Sequence, residues 1–407
     1  MAITVTVTRT GLTSTRATVD FTSSDGTAKQ KGDYTFATGR LIFESGETQK
    51  TFQLLVNEDN YVEGPESATV VLQNPQGGTL GAPSNASLQI VDDGAEQSSN
   101  PIDEARNFVC QQYHDFLYRQ PDEAGEDFWT GRIAECGSDA ACIRVRRANV
   151  SAAFFLSIEF QQTGYFVIRT HKAAFGSAKS NPRYGVFLRD QRQIGDGVVI
   201  GQAGSFEKLE ANRQKYLEEF VTRPEFVGDF PQGQPAASYV DKLFSNAEVT
   251  PSAAERAAAI AAYGGGDTTG RAAALRSVAD SDSVYLAQYN PAFVLMQYYG
   301  YLRRNPDDAP DNNFLGYDFW LNKLNSFSQP GENVRNETVA LSRVSRAQMV
   351  EAFIESIEYR NRFGGAPGGN QQGAVSLSQA GRSWSQSVAE SLKLVFKAAF
   401  GRASPAD

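Results

Sequence analysis

The chain has 407 residues with 38 Lys and Arg against 47 Asp and Glu, a net charge of −9 that repels phosphate backbones and excludes a nucleic-acid role. Hydrophobic residues at 41% and charged residues at 21% exclude a wholly disordered chain, and no apolar run reaches the roughly 18 residues of a membrane span. Two His and three Cys exclude a His-rich metal enzyme and a disulfide-dense mini-scaffold, so the expectation is a soluble globular protein of two or three domains.

Residues 1–94 alternate with period two. Met1 runs straight into Ile3-Val5-Val7, without the basic segment and apolar stretch that a secretory signal needs, so no targeting segment is expected here. Ala17-Val19-Phe21, Leu41-Phe43, Phe52-Leu54-Val56, Ala68-Val70-Leu72 and Ala86-Leu88-Ile90 each bury one face and wet the other. Turn signals separate them at Asp25-Gly26, Ser45-Gly46, Asn74-Pro75 and Gly77-Gly78. Short strands at this spacing predict an antiparallel β-sandwich, because a lone sheet must cover its apolar face.

The acids of this segment gather at strand ends: Asp33, then Glu58, Asp59, Glu63 and Glu66, then Asp92 and Asp93. Strand ends of a sandwich converge on a pole, where several carboxylates are tolerable together only around a cation. Oxygen ligands without nitrogen or sulfur favour Ca²⁺ over the stricter octahedral Mg²⁺. Ordinary solvated acidic surface is the other reading, and spacing alone does not choose between them.

DGTA (25–28), GDY (32–34), GRLIFESGETQKTFQLLV (39–56), NEDNYVEGPES (57–67) and LGAPSNASLQIVDDG (80–94), in this order, resemble the Calx-beta domain. The resemblance implies an immunoglobulin-like sandwich that binds Ca²⁺ at one pole, with ligand-type carboxylates on Asp33, Asp59, Glu63, Glu66, Asp92 and Asp93. The family usually has one more strand before ITVTV and a further Glu ligand in the loop after it. Asn60 and Gly94 also stand where strong binders tend to carry acid. These departures imply weak or partial Ca²⁺ binding. They also imply an open sheet edge, free to pair with a neighbouring molecule or with the tail.

Residues 95–102, within the stretch GAEQSSNPI (94–102), read as a linker, with Pro101 ahead of a helical pattern. Residues 103–364 are predicted as an all-α domain containing repeats. FVCQQYHDFLYRQPDEAGEDFWTGRI (108–133) recurs as FVLMQYYGYLRRNPDDAPDNNFLGYDFWLNKL (293–324), and YVDKLFSNAEVTPSAAERAA (239–258) reads as a degenerate middle copy. AAFFLSIEF (152–160) recurs as EAFIESIEYR (351–360), with EEFVTRPEF (218–226) as a poorer match. Within the repeat, Tyr, Leu and Phe-Trp supply buried area, Pro-Asp starts the next helix, Gly permits a tight turn, and the Arg before the Pro is placed to bond carbonyls at the preceding helix end. Trp129 and Trp320 are expected in the core rather than stacking on sugars.

Cys136 and Cys142 bracket CGSDAAC, a separation that a disulfide closes and that is wrong for paired zinc motifs, which points to an oxidising compartment. Cys110, on an apolar stripe, is expected to be a buried, inert thiol. His114 and His171 lie near no Ser or Cys in a nucleophile context and are expected on exposed helix surfaces. The turn NPDDAPDNN (305–313) lacks the EF-hand pattern and reads as a capped turn, and DGVVIGQAGSFE (196–207) reads as a β-like turn rather than a phosphate loop.

The Tyr-x-x-x-Leu-x-Arg-x-Pro-Asp helix followed by Gly-x-x-Phe-Trp resembles domain of unknown function 4214, an α-helical bacterial module related in shape to phycobilisome linkers and found beside Calx-beta domains in surface or secreted proteins. That resemblance implies no activity. Residues 365–407 comprise a GAPGGNQQG spacer, the strand-like AVSLS (374–378), a candidate to fill the open sandwich edge, and an amphipathic helix around Trp384, Val388, Leu392 and Val395. That helix is expected to dock on its own domain, with a partner or a membrane surface as the alternative.

The combined expectation is a non-enzymatic calcium-binding adhesion or scaffold protein, secreted or at the cell surface. Ca²⁺ orders the sandwich pole and stiffens the linker after Asp93, the helical domain contacts partner proteins, and the open sandwich edge offers a route to self-association. A glycan-binding or glycan-processing surface protein is the alternative, motivated by the aromatic content.

Overall fold

The computed structural model describes residues 1–91 and 99–364, apart from the Arg346 side chain. Asp92, Asp93, the first half of the expected linker (95–98) and all of 365–407, with AVSLS and the amphipathic helix, lie outside the described residues. The chain forms two compact units; of the described residues, one holds 1–37, 41–91, 99–153 and 340–364, and the other 38–40 and 154–339.

The strands are β1 (Ala2–Thr8), β2 (Ala17–Asp25), β3 (Thr38–Phe43), β4 (Gln49–Leu55), β5 (Glu66–Gln76) and β6 (Asn85–Ile90). β1 pairs antiparallel with β4, from Ala2 opposite Leu55 to Thr8 opposite Gln49. The second sheet has the order β3-β2-β5-β6. The alternating apolar residues meet between the sheets, where Phe21 of β2 stacks on Phe52 of β4 with centroids 3.7 Å apart. Val19, Leu41, Phe43, Leu54 and Val70 complete that core. This is the expected antiparallel sandwich, and among the described residues β1 has β4 as its one strand partner.

One expected turn is absent. β5 continues through Asn74-Pro75, with Asn74 at φ 51° donating from its side chain to Asp20 Oδ2 at 3.2 Å. β6 ends its pairing at Asn85 opposite Val71, so Pro75 sits where no β6 carbonyl awaits an N–H.

Sixteen α-helices follow among the described residues. The first eight are α1 (Ala105–Gln112), α2 (Glu123–Ala134), α3 (Ala140–Leu156), α4 (Ile158–Gln162), α5 (Gly164–Phe175), α6 (Tyr184–Gly195), α7 (Ser205–Phe220) and α8 (Pro224–Asp229). Then come α9 (Ala236–Asn246), α10 (Ala253–Tyr263), α11 (Thr268–Ala279), α12 (Asp282–Gln297), α13 (Leu315–Ser326), α14 (Glu337–Ala347), α15 (Met349–Ile354) and α16 (Ile357–Arg360).

The two strong repeat copies share their geometry as well as their sequence. α1 and α12 each widen into one π-helical turn, Tyr113–Leu117 and Tyr298–Leu302. Each then ends on a left-handed residue, Tyr118 at φ 51° and Arg303 at φ 50°. Phe128–Trp129 and Phe319–Trp320 have the same 5.1 Å, 78° edge contact. The middle copy keeps a positive φ at Glu248 and a capping box at Ser252, without the π turn.

Several repeat roles differ from expectation. Gly125 and Gly316 lie inside α2 and α13, where Tyr113 and Tyr298 hydroxyls approach the backbone, so close packing rather than a tight turn requires them. Asp122 caps α2, whereas Asp307 sits in an inserted turn paired with Arg183, because α13 begins only at Leu315. Arg304 bonds forward to the carbonyls of Asn305 and Asp308.

The second recurring element closes the core around the other copy's helix. In one unit, Tyr359 of α16 meets Gln112 of α1 at 3.3 Å. In the other, Phe155 of the first copy meets Phe293 of α12 with centroids 4.6 Å apart. Ser157 and Ser356 cap α4 and α16 in the same way.

Both histidines are buried, contrary to the expected surface placement: His114 is 1% and His171 4% exposed. His171 Nε2 lies 2.7 Å from Asp190 Oδ2, and Asp190 also accepts from Arg223, Arg189 and the Tyr216 hydroxyl. Burial opposes the Asp190 charge, yet Arg223 and His171 hold its carboxyl well below the usual range. These bonds form a closed internal network. The 196–207 segment forms turns with Gly197, Gly201 and Gly204 at positive φ and then enters α7 at Ser205, and none of it is strand. Trp129 is 2% exposed, as a core residue should be, while Trp320 is half-buried. Cys136 and Cys142 form a disulfide, and burial pushes the half-buried Cys110 thiol up to about 11, which leaves it unreactive.

Candidate metal centre

Asp33 is placed by a tight turn in the loop that follows β2. Its N–H donates to Lys29 O at 3.0 Å and its carboxylate accepts from the Lys29 amide. Asp25, the last residue of β2, braces the same turn by accepting from Gln30 N at 3.0 Å and from the Tyr34 hydroxyl at 2.6 Å. Asn57, just past β4, fixes this turn to the next loop: its N–H donates to Asp33 O at 2.9 Å and its side chain to Gly32 O.

Glu66 opens β5, and its neighbour Ser67 is bonded on both sides of the peptide. Ala28 N donates to Ser67 O at 3.0 Å, and Ser67 N to Thr27 Oγ1 at 2.8 Å. Ser67 O lies against Gly26 where a side chain would collide with it, which gives the glycine of DGTA its reason. Gly64, at φ 74°, turns the intervening loop.

These constraints bring Asp33, Glu63 and Glu66 together, with one oxygen of each within 4.8 Å of the others. Ca²⁺–oxygen distances of about 2.3–2.6 Å place opposed ligands roughly 4.6–5.2 Å apart, so the set is compact enough for one ion to span. Glu66 is pushed up to about 7 by burial, by its hydrogen bond with Asp33, and by the charges of Asp33, Glu63 and Asp59. Burial also raises Asp59 to about 6, with Asp33, Glu63 and Glu58 adding to the rise and the Tyr61 amide opposing it. Carboxylates that resist ionising together form the environment a divalent cation relieves.

Three of the six predicted ligands therefore meet. Asp59 contributes to the field, but its Oδ1 accepts from Tyr61 N at 2.9 Å and it lies outside the three-residue set. Asp92 and Asp93 lie outside the described residues. Sequence reasoning missed Asn57 as the tie between loops, although a buried Asn directly after a strand is the residue type for such a bond.

Residues 1–94 match the family model described as the Calx-beta domain. Over 103 residues the chain is 35% identical to sodium/calcium exchanger 1 of Mus musculus, an alignment covering 21% of this chain and 11% of that protein. It is also 35% identical over 91 residues to sodium/calcium exchanger 2 of Rattus norvegicus, covering 18% and 10%. The chain thus spans about a tenth of the length of these curated relatives. Among solved structures, the apo-form Calx CBD1 domain is 34% identical, covering 23% of this chain and 82% of that one, with a TM-score of 0.22. The calcium binding domain CBD12 of CALX1.1 is 34% identical, covering 23% and 40%, with a TM-score of 0.23.

Proposed function

We propose that this chain is a non-enzymatic calcium-binding protein in which Asp33, Glu63 and Glu66 hold Ca²⁺. The helical part is proposed as a scaffold of the domain of unknown function 4214 type that contacts partner proteins. The observation that carries the reading is the 4.8 Å grouping of three carboxylates from two loops. The bound ion supplies neutralisation of their charge. The chain's own residues do the rest: Asn57 and the 25–35 turn hold Asp33, and Ser67 holds Glu66 in register beside it.

A secreted or cell-surface adhesion role, with self-association through the β1 edge, extends this proposal. The Cys136–Cys142 disulfide supports an oxidising location, and no helix among the described residues is long and apolar enough to cross a membrane. A glycan-binding role has less support, because Trp129 offers no exposed face. Calorimetric titration of the chelator-treated chain with Ca²⁺ tests the proposal: binding heat is expected in the wild type and its loss in Glu66→Gln and Asp33→Asn. Absence of heat in the wild type would refute it.

A further inference from the structure

Two loops carry the carboxylates, and one turn at the end of α16 holds both. Arg362 is 4% exposed and donates from Nε to the carbonyl of Lys31 at 3.0 Å, two residues before Asp33. Its neighbours hold the other loop. Asn60 N donates to Phe363 O at 2.9 Å, and the Tyr61 hydroxyl donates to Asn361 O at 3.0 Å. The Asn60 side chain lies against Gly364 so closely that a Cβ there has no room. All of these residues belong to the same compact unit.

The turn is itself anchored. Arg362 Nη2 pairs with Asp115 Oδ1 at 3.1 Å, and the fully buried Asp115 also accepts from Gln111 Nε2 at 2.7 Å and from the Tyr359 hydroxyl at 3.3 Å. A buried pair of this kind does not part easily, because separation strands a charge without solvent.

We infer that residues 361–364 act as a clamp that sets the spacing of the two ligand loops, so that cation affinity and the order of segment 357–364 are coupled. The inference rests on the cation-binding reading above and assigns control of that site to residues some 300 positions away. The contacts are to the Lys31 carbonyl, the Asn60 amide and side chain and the Tyr61 hydroxyl, so the clamp positions the loops without occupying a carboxylate. Coupling is reciprocal: an ion that fixes the loops steadies the turn, and a displaced turn lets the carboxylates separate.

The test uses the full chain, with calorimetry for Ca²⁺ affinity and hydrogen exchange for segment 357–364. Tyr61→Phe removes only the hydroxyl bond to Asn361, Arg362→Gln removes the grip on Lys31 and Asp115, and Ile357→Ala alters an exposed position of the same segment as a control. The expected result is slowed exchange at 357–364 on adding Ca²⁺, Ca²⁺ affinity weakened on the order of fivefold by Tyr61→Phe and Arg362→Gln, and unchanged affinity in Ile357→Ala. If the wild type binds Ca²⁺ while exchange and both affinities stay unchanged, the clamp is refuted and the cation site stands. If the wild type binds no Ca²⁺, both readings fail. Should Arg362→Gln not fold, Tyr61→Phe decides.

Discussion

The hydroxyl of Tyr113 occupies the space that a Cβ on Gly125 would need, and Tyr298 stands in the same relation to Gly316, 2.6 Å from the corresponding point. The motif glycine is therefore a packing residue, and its replacement has a calculable sign. Gly125→Ala and Gly316→Ala should each destabilise the chain by about 1–3 kcal/mol, since both tyrosines are buried and cannot yield freely. Gly131, on the same helix as Gly125 with nothing near its Cβ position, should instead gain up to about 1 kcal/mol as Ala. Urea denaturation of the three variants checks this.

In chelator, the stability of the sandwich should fall as pH rises. Asp59 at about 6 and Glu66 at about 7 both lie above their ordinary values, so the fold favours their protonated forms. Their contribution is fully present below the unfolded carboxylate range and is lost as pH climbs through about 6 to 7. The melting temperature should therefore drop between about pH 5 and pH 8 in chelator, Ca²⁺ should restore it, and Glu66→Gln should flatten the chelator profile. A flat wild-type profile would contradict this account.

Lys172 lies wholly inside α5, and burial pushes its amine down to about 7, although Nζ donates to Ala178 O. The unfolded chain keeps this amine charged to about 10.5, so wild-type stability should rise with pH between these limits. Lys172→Met should remove that rise and stabilise the protein by roughly 1–3 kcal/mol at about pH 6. Denaturation at about pH 6 and pH 9 measures both effects.

The disulfide closes a short loop, with a sequence separation of 6. Loop-closure entropy makes it worth about 2 kcal/mol, so Cys136→Ser with Cys142→Ser should lower stability by that amount. Cys110, with its thiol raised to about 11, should resist alkylation in the folded chain.

What the sequence made legible follows from range. Period-two alternation marks all six strands, because the sheet buries one face along a few consecutive residues. The passage of β5 through Asn74-Pro75 depends on where β6 stops, which no local pattern reports. Asp33, Glu63 and Glu66 were readable as loop-end acids, while the position of Asp59 outside their set depends on loop geometry that no local pattern reports. The histidines misled because the charge that satisfies His171 comes from Asp190 on α6, itself neutralised by Arg223 beyond α7. The π turns of α1 and α12 were equally silent, since YHDFL and YYGYL suit an ordinary helix.

The pairing of α16 with α1 and of Phe155 with α12 bears on how such a chain is put together. Each copy of the motif is finished by the tail of its sibling, as two hands are finished by a handshake. Neither can be excised as a free-standing building block, because the survivor would lose the residues that seal it. Removing either copy would therefore strip contacts from the one that remains.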